Sequence, residues 1–159
     1  MWTNRNCQRK HTLNGVTIKV RSCGFLINDE MILVHKKKYD DFYALVGGNV
    51  KLGESTEEAI HREFGEELNI SIEIKQLVWV VENFYTYDSK KVHEFMFVYL
   101  IDTNNELPTE TFEMNSNIFS WFSKSELSKV TLKPNFLNHT DDLIPNSTMH
   151  IINVDSNNE

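Results

Sequence analysis

The stretch that decides the fold is G-N-V-K-L-G-E-S-T-E-E-A-I-H-R-E-F-G-E-E-L-N-I, Gly48 to Ile70. Ser55 followed by Glu58 has capping-box spacing, and Ala59, Ile60, Phe64 and Leu68 carry a helical apolar pattern to Asn69, a residue suited to a left-handed cap. The spacing therefore predicts one helix ending at Asn69. Six acids, Glu54, Glu57, Glu58, Glu63, Glu66 and Glu67, stand in or just before it against a single arginine, Arg62.

These acids divide by position. Glu57 and Glu58 occupy the first turn, where the helix dipole favours negative charge, and they need no further explanation. Glu63, Glu66 and Glu67 lie at i, i+3 and i+4 in the last turns, so they share a face. Each like-charge pair costs about 0.2–0.5 kcal/mol, and the dipole there adds about 0.3–1 kcal/mol per acid. A solvated acidic face is the ordinary reading of a charge run. Here, however, the three acids flank the buried arc, Ala59 leaves room among them, and Arg62 is placed to pair with Glu66. A hard divalent cation reverses the sign of the repulsion, because Mg²⁺ takes carboxylate oxygens and keeps waters for phosphates. Gly47-Gly48 brings flexible backbone to the same face, where a carbonyl can complete the coordination.

Working outward, Val16 to Ile27 and Met31 to His35 read as strands joined by a turn at Asn28-Asp29-Glu30. Phe42 to Val46 is a third apolar run. Leu77 to Tyr87 and Val92 to Ile101 form a second hairpin across Asp88-Ser89-Lys90. Asp102 to Asn117 reads as an acidic loop and Ile118 to Phe122 as a strand. Ser123 to Leu127 starts a helical turn, and Pro134 opens a late helix towards Leu143. Strands around one strong helix predict an α/β domain with a mixed sheet. One domain over 1–159 is expected, with loose tails at about 1–12 and 155–159.

The chain has 159 residues, 16 Lys plus Arg against 23 Asp plus Glu, and a net charge of -7. That balance offers no basic field for a nucleic acid, so a phosphorylated substrate must be met by local lysines or a metal. Two cysteines, Cys7 and Cys23, suit a reducing compartment and form no metal or redox spacing. No signal-like or membrane-length apolar run occurs, so a soluble cytoplasmic protein is expected. The three N-glycosylation sequons then have no role.

The same residues resemble the Nudix hydrolase family. Its box, G-x5-E-x7-R-E-U-x-E-E-x-G-U, is matched by Gly48, Glu54, Arg62, Glu63, Phe64, Glu66, Glu67 and Ile70. Asn69 replaces the box glycine and Val46 the proline common before the paired glycines; neither change touches a carboxylate. The resemblance implies an α/β/α sandwich with a mixed β-sheet between helices. It also implies metal-dependent hydrolysis of the diphosphate linkage in a nucleoside diphosphate derivative. Under it, Gly48, Glu63, Glu66 and Glu67 hold Mg²⁺ or Mn²⁺, Arg62 orients the carboxylates, and Glu54 supports Arg62. The catalytic set is Glu63, Glu67 and Arg62, with Glu110 and Glu113 as alternative general bases. A small-molecule nucleotide derivative is the expected partner, and a homodimer is compatible. The alternative, a non-catalytic Nudix-fold nucleotide-binding or sensing module, is disfavoured because every box carboxylate is kept.

Substrate contacts are assigned to Lys36 and Lys38 for phosphate and to Tyr85, with Phe84 and Tyr87 nearby, for base stacking. Glu94 is added because it shares a strand face with apolar Val92 and Met96. Trp79, Trp121, Phe95 and Phe97 are assigned to the core.

Overall fold

The computed structural model describes residues 11–140 and 143–155. The strands are β1 (His11–Leu13), β2 (Val16–Asn28), β3 (Met31–Lys37), β4 (Ala44–Leu45), β5 (Gly47–Asn49), β6 (Glu73–Tyr87), β7 (Lys90–Asp102), β8 (Phe112–Met114), β9 (Asn117–Ser123) and β10 (Met149–Val154). Helix α1 is Thr56–Leu68, α2 is Lys124–Leu127, and a 3₁₀ turn spans Asn135–His139.

The sheet order is β10-β6-β7-β2-β3-β9-β8, with β1 and β5 on β2 and β4 on β3. Pairs β2·β7 and β10·β6 are parallel and the other strand pairs antiparallel, so the sheet is mixed as expected. Strands β2 and β3 pair only at Ile27↔Ile32 and Asn28↔Met31, next to their turn. Beyond that point β2 pairs with β7 and β5, while β3 pairs with β4 and β9. The β4–β5 segment, which carries the paired glycines, thus links the two halves of the sheet.

Each sheet face has its own core. On one face α1 buries Ile60, Phe64 and Leu68 against Leu26, Tyr99 and Ile101. There is no room between helix and sheet at Gly24, where a Cβ would stand 2.5 Å from the Phe64 ring. On the other face Trp79 meets Phe25 and Phe136 edge-on, with Leu127, Leu132 and Leu137 from the α2 and 3₁₀ region. Helical segments on both faces give the layered α/β arrangement.

Four hairpin turns share one device. Asn14-Gly15, Asp29-Glu30, Asp88-Ser89 and Asn115-Ser116 all have positive φ at both positions, the type I′ form that suits strand twist. The last of these corrects the expected loop at 102–117, because β8 pairs with β9 across it and Glu113 lies on a strand. The late helix is also shorter than expected. It is the 3₁₀ turn Asn135–His139, after which Thr140 is extended, and Pro134 supplies no side-chain cap. Strand β10, which the polar C-terminal region did not suggest, lies parallel to β6 from Met149↔Trp79 to Val154↔Phe84. At the N-terminus, residues 11–13 of the expected loose tail pair with β2; residues 1–10 and 156–159 lie outside the described residues. No helix among the described residues is long and apolar enough to cross a membrane.

Candidate active site

Ser55 caps α1, with its side chain bonded to the Glu58 N–H and Glu58 bonded back to the Ser55 N–H. At the other end Asn69 adopts φ 53° and ψ 39° and its N–H returns to the Gly65 carbonyl. No basic residue occupies the last turn. The side-chain amide of Asn115, in the β8–β9 turn, instead donates to the Glu66 and Glu67 carbonyls at 3.0 and 3.1 Å. This satisfies carbonyls that the helix end leaves without partners.

Arg62 organises the acids. Its Nε and Nη2 donate to the two Glu54 oxygens at 2.7 and 3.0 Å, a fork matched to a carboxylate. Its Nη1 donates to Glu63 Oε1 at 2.6 Å and to Glu66 Oε2 at 3.2 Å, and Nη2 also reaches the Asn49 carbonyl at 3.0 Å. The Lys51 N–H holds Glu54 from the loop, and Lys51 Nζ stands 3.5 Å from Glu66. One guanidinium thus ties the loop before the helix to two of its three late acids.

Two of the three carboxylates on Arg62 shift in opposite directions. Glu54 is held below its ordinary pKa by the Arg62 hydrogen bond. Glu63 is raised, because burial outweighs Arg62 and Glu67 and Glu66 add repulsion. Arg62 itself is held further in its charged form, chiefly by Glu54. A second cation near Glu63 would therefore offset the burial that raises it.

Gly48 lies directly on Glu63, and a Cβ there would sit 2.4 Å from the carboxylate carbon. Only glycine lets the backbone come so close. Glu67 approaches a residue that sequence reasoning did not select: its Oε2 is 3.2 Å from His35 Nδ1. Both atoms are buried, yet the pair is not aligned as a hydrogen bond and, among the described residues, neither atom has another hydrogen-bond partner. Among the described residues, no three His, Cys, Asp or Glu side chains already converge as a metal cage.

Of the predicted substrate residues, Lys36, Tyr85 and Glu94 lie on the sheet face away from α1, with Tyr43 and Met96 of the opposite core. Lys36 turns away from His35 and lies 5.1 Å from the Tyr43 ring centre, while Lys38 is exposed. Glu94 is 2% exposed among Val92 and Met96, as the strand alternation suggested. It accepts from Asn83 Nδ2 at 3.4 Å and from the Tyr85 hydroxyl at 3.3 Å. Asn153 extends this row through Asn83, and Lys19 through Tyr85, with Arg21 close enough to interact with Glu94. Lys19, Arg21, Asn83 and Asn153 went unselected, because nothing local places them beside Glu94. Phe84 does not join Tyr85. It faces the opposite side and stacks on His93 at 4.2 Å. Trp79 is core, Phe97 and Trp121 are partly buried against the α1-side core, and Phe95 packs on His93. Glu110 and Glu113 are exposed.

A family model described as NUDIX domain matches residues 18–146. Among solved structures, the chain is similar to a MutT protein from Bacillus halodurans at 17% identity and TM-score 0.59, covering 83% of this chain and 89% of that one. A NUDIX hydrolase from Nitrosomonas europaea gives 16% and 0.59, covering 91% and 82%. An ADP-ribose pyrophosphatase from Streptococcus suis gives 13% and 0.53, covering 85% and 98%. At these identities the structural likeness is one of fold. A search of curated proteins found no match.

Proposed function

The chain belongs to the NUDIX domain family, and from that premise we propose that it is a divalent-metal-dependent pyrophosphohydrolase. Its reaction is hydrolysis of the diphosphate linkage in a nucleoside diphosphate derivative, giving a nucleotide and a phosphorylated product. The observation that carries the reading is the treatment of Glu63 and Glu67. One is pressed against Gly48 with a raised pKa, and the other keeps a buried carboxylate oxygen without a hydrogen bond. A helix stabilised for its own sake satisfies such groups, since an unpaired buried polar atom costs about 1–3 kcal/mol. A cation drawn in among them removes that cost.

Glu63, Glu66 and Glu67 with the Gly48 carbonyl hold Mg²⁺ or Mn²⁺, a donor set of oxygens that suits hard ions. When bound, the ion supplies charge neutralisation at the diphosphate and activation of water. Arg62 fixes the orientation of Glu63 and Glu66, and Glu54 fixes Arg62. Glu63 is the proton acceptor favoured by its burial; Glu110 and Glu113 are the alternatives on the β8 side. Lys38, exposed in the turn after β3, serves the phosphates, whereas Lys36 lies over the Tyr43 ring on the other side of β3 from His35. Glu94 and Tyr85 serve the nucleoside part, where the long contacts to Glu94 leave it acceptor capacity for a ligand N–H or O–H. The enzyme works in the cytoplasm, as a monomer or homodimer. An ADP-ribose pyrophosphatase among the structures of this fold makes nucleotide sugars and ADP-ribose sensible first substrates.

The test is a chromatographic screen of nucleoside triphosphates, ADP-ribose, nucleotide sugars and dinucleoside polyphosphates with Mg²⁺ or Mn²⁺. It is run on the wild type and on Glu67→Gln. We expect product from the wild type and a turnover loss of about 100-fold or more in the variant, with circular dichroism unchanged. Turnover in Glu67→Gln at the wild-type rate sinks the assignment. Saturable binding without product across the panel identifies the sensing module instead.

A further inference from the structure

His35 and Glu67 reach each other from different parts of the chain, one on β3 and the other in the last turn of α1. Their side chains are 13% and 19% exposed, and the atoms that meet, Nδ1 and Oε2, are buried. At 3.2 Å an imidazole N–H that pointed at the carboxylate would make a charge-assisted hydrogen bond. The alignment is missing, and among the described residues neither buried atom has a hydrogen-bond partner. The ring is kept in place by Phe119, with centres 5.6 Å apart.

Two donor atoms on neighbouring corners of a coordination sphere, each about 2.1 Å from the ion, stand about 3 Å apart. The His35–Glu67 separation has that size. We propose that His35 Nδ1 is a ligand of the same cation that Glu67 holds, so that the site is a mixed nitrogen–oxygen site and not an all-oxygen one. The inference rests on the reading of Glu67 given above. Water and substrate oxygens complete the sphere, and the His35 proton resides on Nε2. The consequence is ion preference: imidazole suits transition ions, and Mn²⁺ or a later ion gains over Mg²⁺.

The experiment titrates Mn²⁺ into the full chain and reads affinity by electron paramagnetic resonance. Electron spin echo modulation then detects a directly bound ¹⁴N. We expect ¹⁴N coupling in the wild type and its loss in His35→Phe, which keeps the ring contact with Phe119. In that variant Mn²⁺ affinity should fall about ten-fold or more, and Mg²⁺ affinity, measured by competition, less than about three-fold. His35→Asn serves if His35→Phe does not fold. Absence of ¹⁴N coupling in the Mn²⁺-loaded wild type overturns the proposal, and so does an equal loss of Mg²⁺ and Mn²⁺, which would make His35 a positioning residue for Glu67. Glu67→Gln separates the two levels. If it abolishes Mn²⁺ binding while the wild type shows no ¹⁴N coupling, only the His35 assignment fails; if it leaves Mn²⁺ binding intact, the cation site itself is misplaced.

Discussion

Replacing Arg62 by Met should cost far more than an ordinary surface ion pair. The wild-type guanidinium makes five hydrogen bonds, two to Glu54 and one each to Glu63, Glu66 and the Asn49 carbonyl. Glu66 is 56% exposed, so its share is small. Glu54 and Glu63 are 14% and 12% exposed, and Arg62 is 19% exposed. Removing the partner of a buried carboxylate costs about 3–5 kcal/mol, and residual solvent access brings the expectation to about 3 kcal/mol. For a chain of this size that corresponds to a fall in Tm of about 6–12 °C. The assay is urea unfolding with a chelator present, so that metal linkage does not enter. Glu54→Gln and the double variant should complete a cycle with a coupling of about 1.5–3 kcal/mol.

The pH dependence has a definite sign. Glu54 is depressed, so its stabilisation is full above the ordinary value of 4.5 and fades as pH falls through its lower folded value. Glu63 is raised, so it costs stability near neutrality and is relieved as pH falls towards 4.5. Loss of Arg62 removes the first effect and enlarges the second. The gap between wild type and Arg62→Met should therefore be widest at pH 7 and shrink steadily below pH 5. A loss under about 1 kcal/mol, no coupling to Glu54, or a gap that grows with acid would refute the role given to Arg62.

Two further outcomes are expected. Gly48→Ala places a Cβ 2.4 Å from the Glu63 carboxylate. Displacing that group should lower Mn²⁺ affinity about 10–100-fold at a stability cost of about 1–3 kcal/mol, read by calorimetric titration and thermal melts; unchanged affinity would remove Gly48 and Glu63 from a shared site. Asn69 is left-handed at the end of α1, so Asn69→Gly should raise stability by about 0.5 kcal/mol and Asn69→Ala lower it by about 1 kcal/mol. Equal melting temperatures for the two variants would contradict the cap.

The amino-acid sequence by itself determined the features that depend on neighbours a few residues apart. The Ser55–Glu58 cap follows from its capping-box spacing and the turns at Asp29 and Asp88 from their turn residues, while the face shared by Glu63, Glu66 and Glu67 and the inward side of Glu94 follow from helix or strand periodicity. Spacing also placed Arg62 against Glu66, and the family resemblance placed Glu54 on Arg62. What only the tertiary structure decided are meetings between distant segments. Strand β10 has a polar surrounding sequence and exists because β6 offers it an edge. The short β8 needs β9 beside it. Asn115 reaches the end of α1 across 48 and 49 positions, His35 meets Glu67 across the gap between sheet and helix, and Lys19 and Arg21 arrive beside Glu94 because β2 runs parallel to β7. Local periodicity fixes which way a side chain points along its own element. Which other element it faces is set by packing of the two cores, and no short-range pattern encodes that choice.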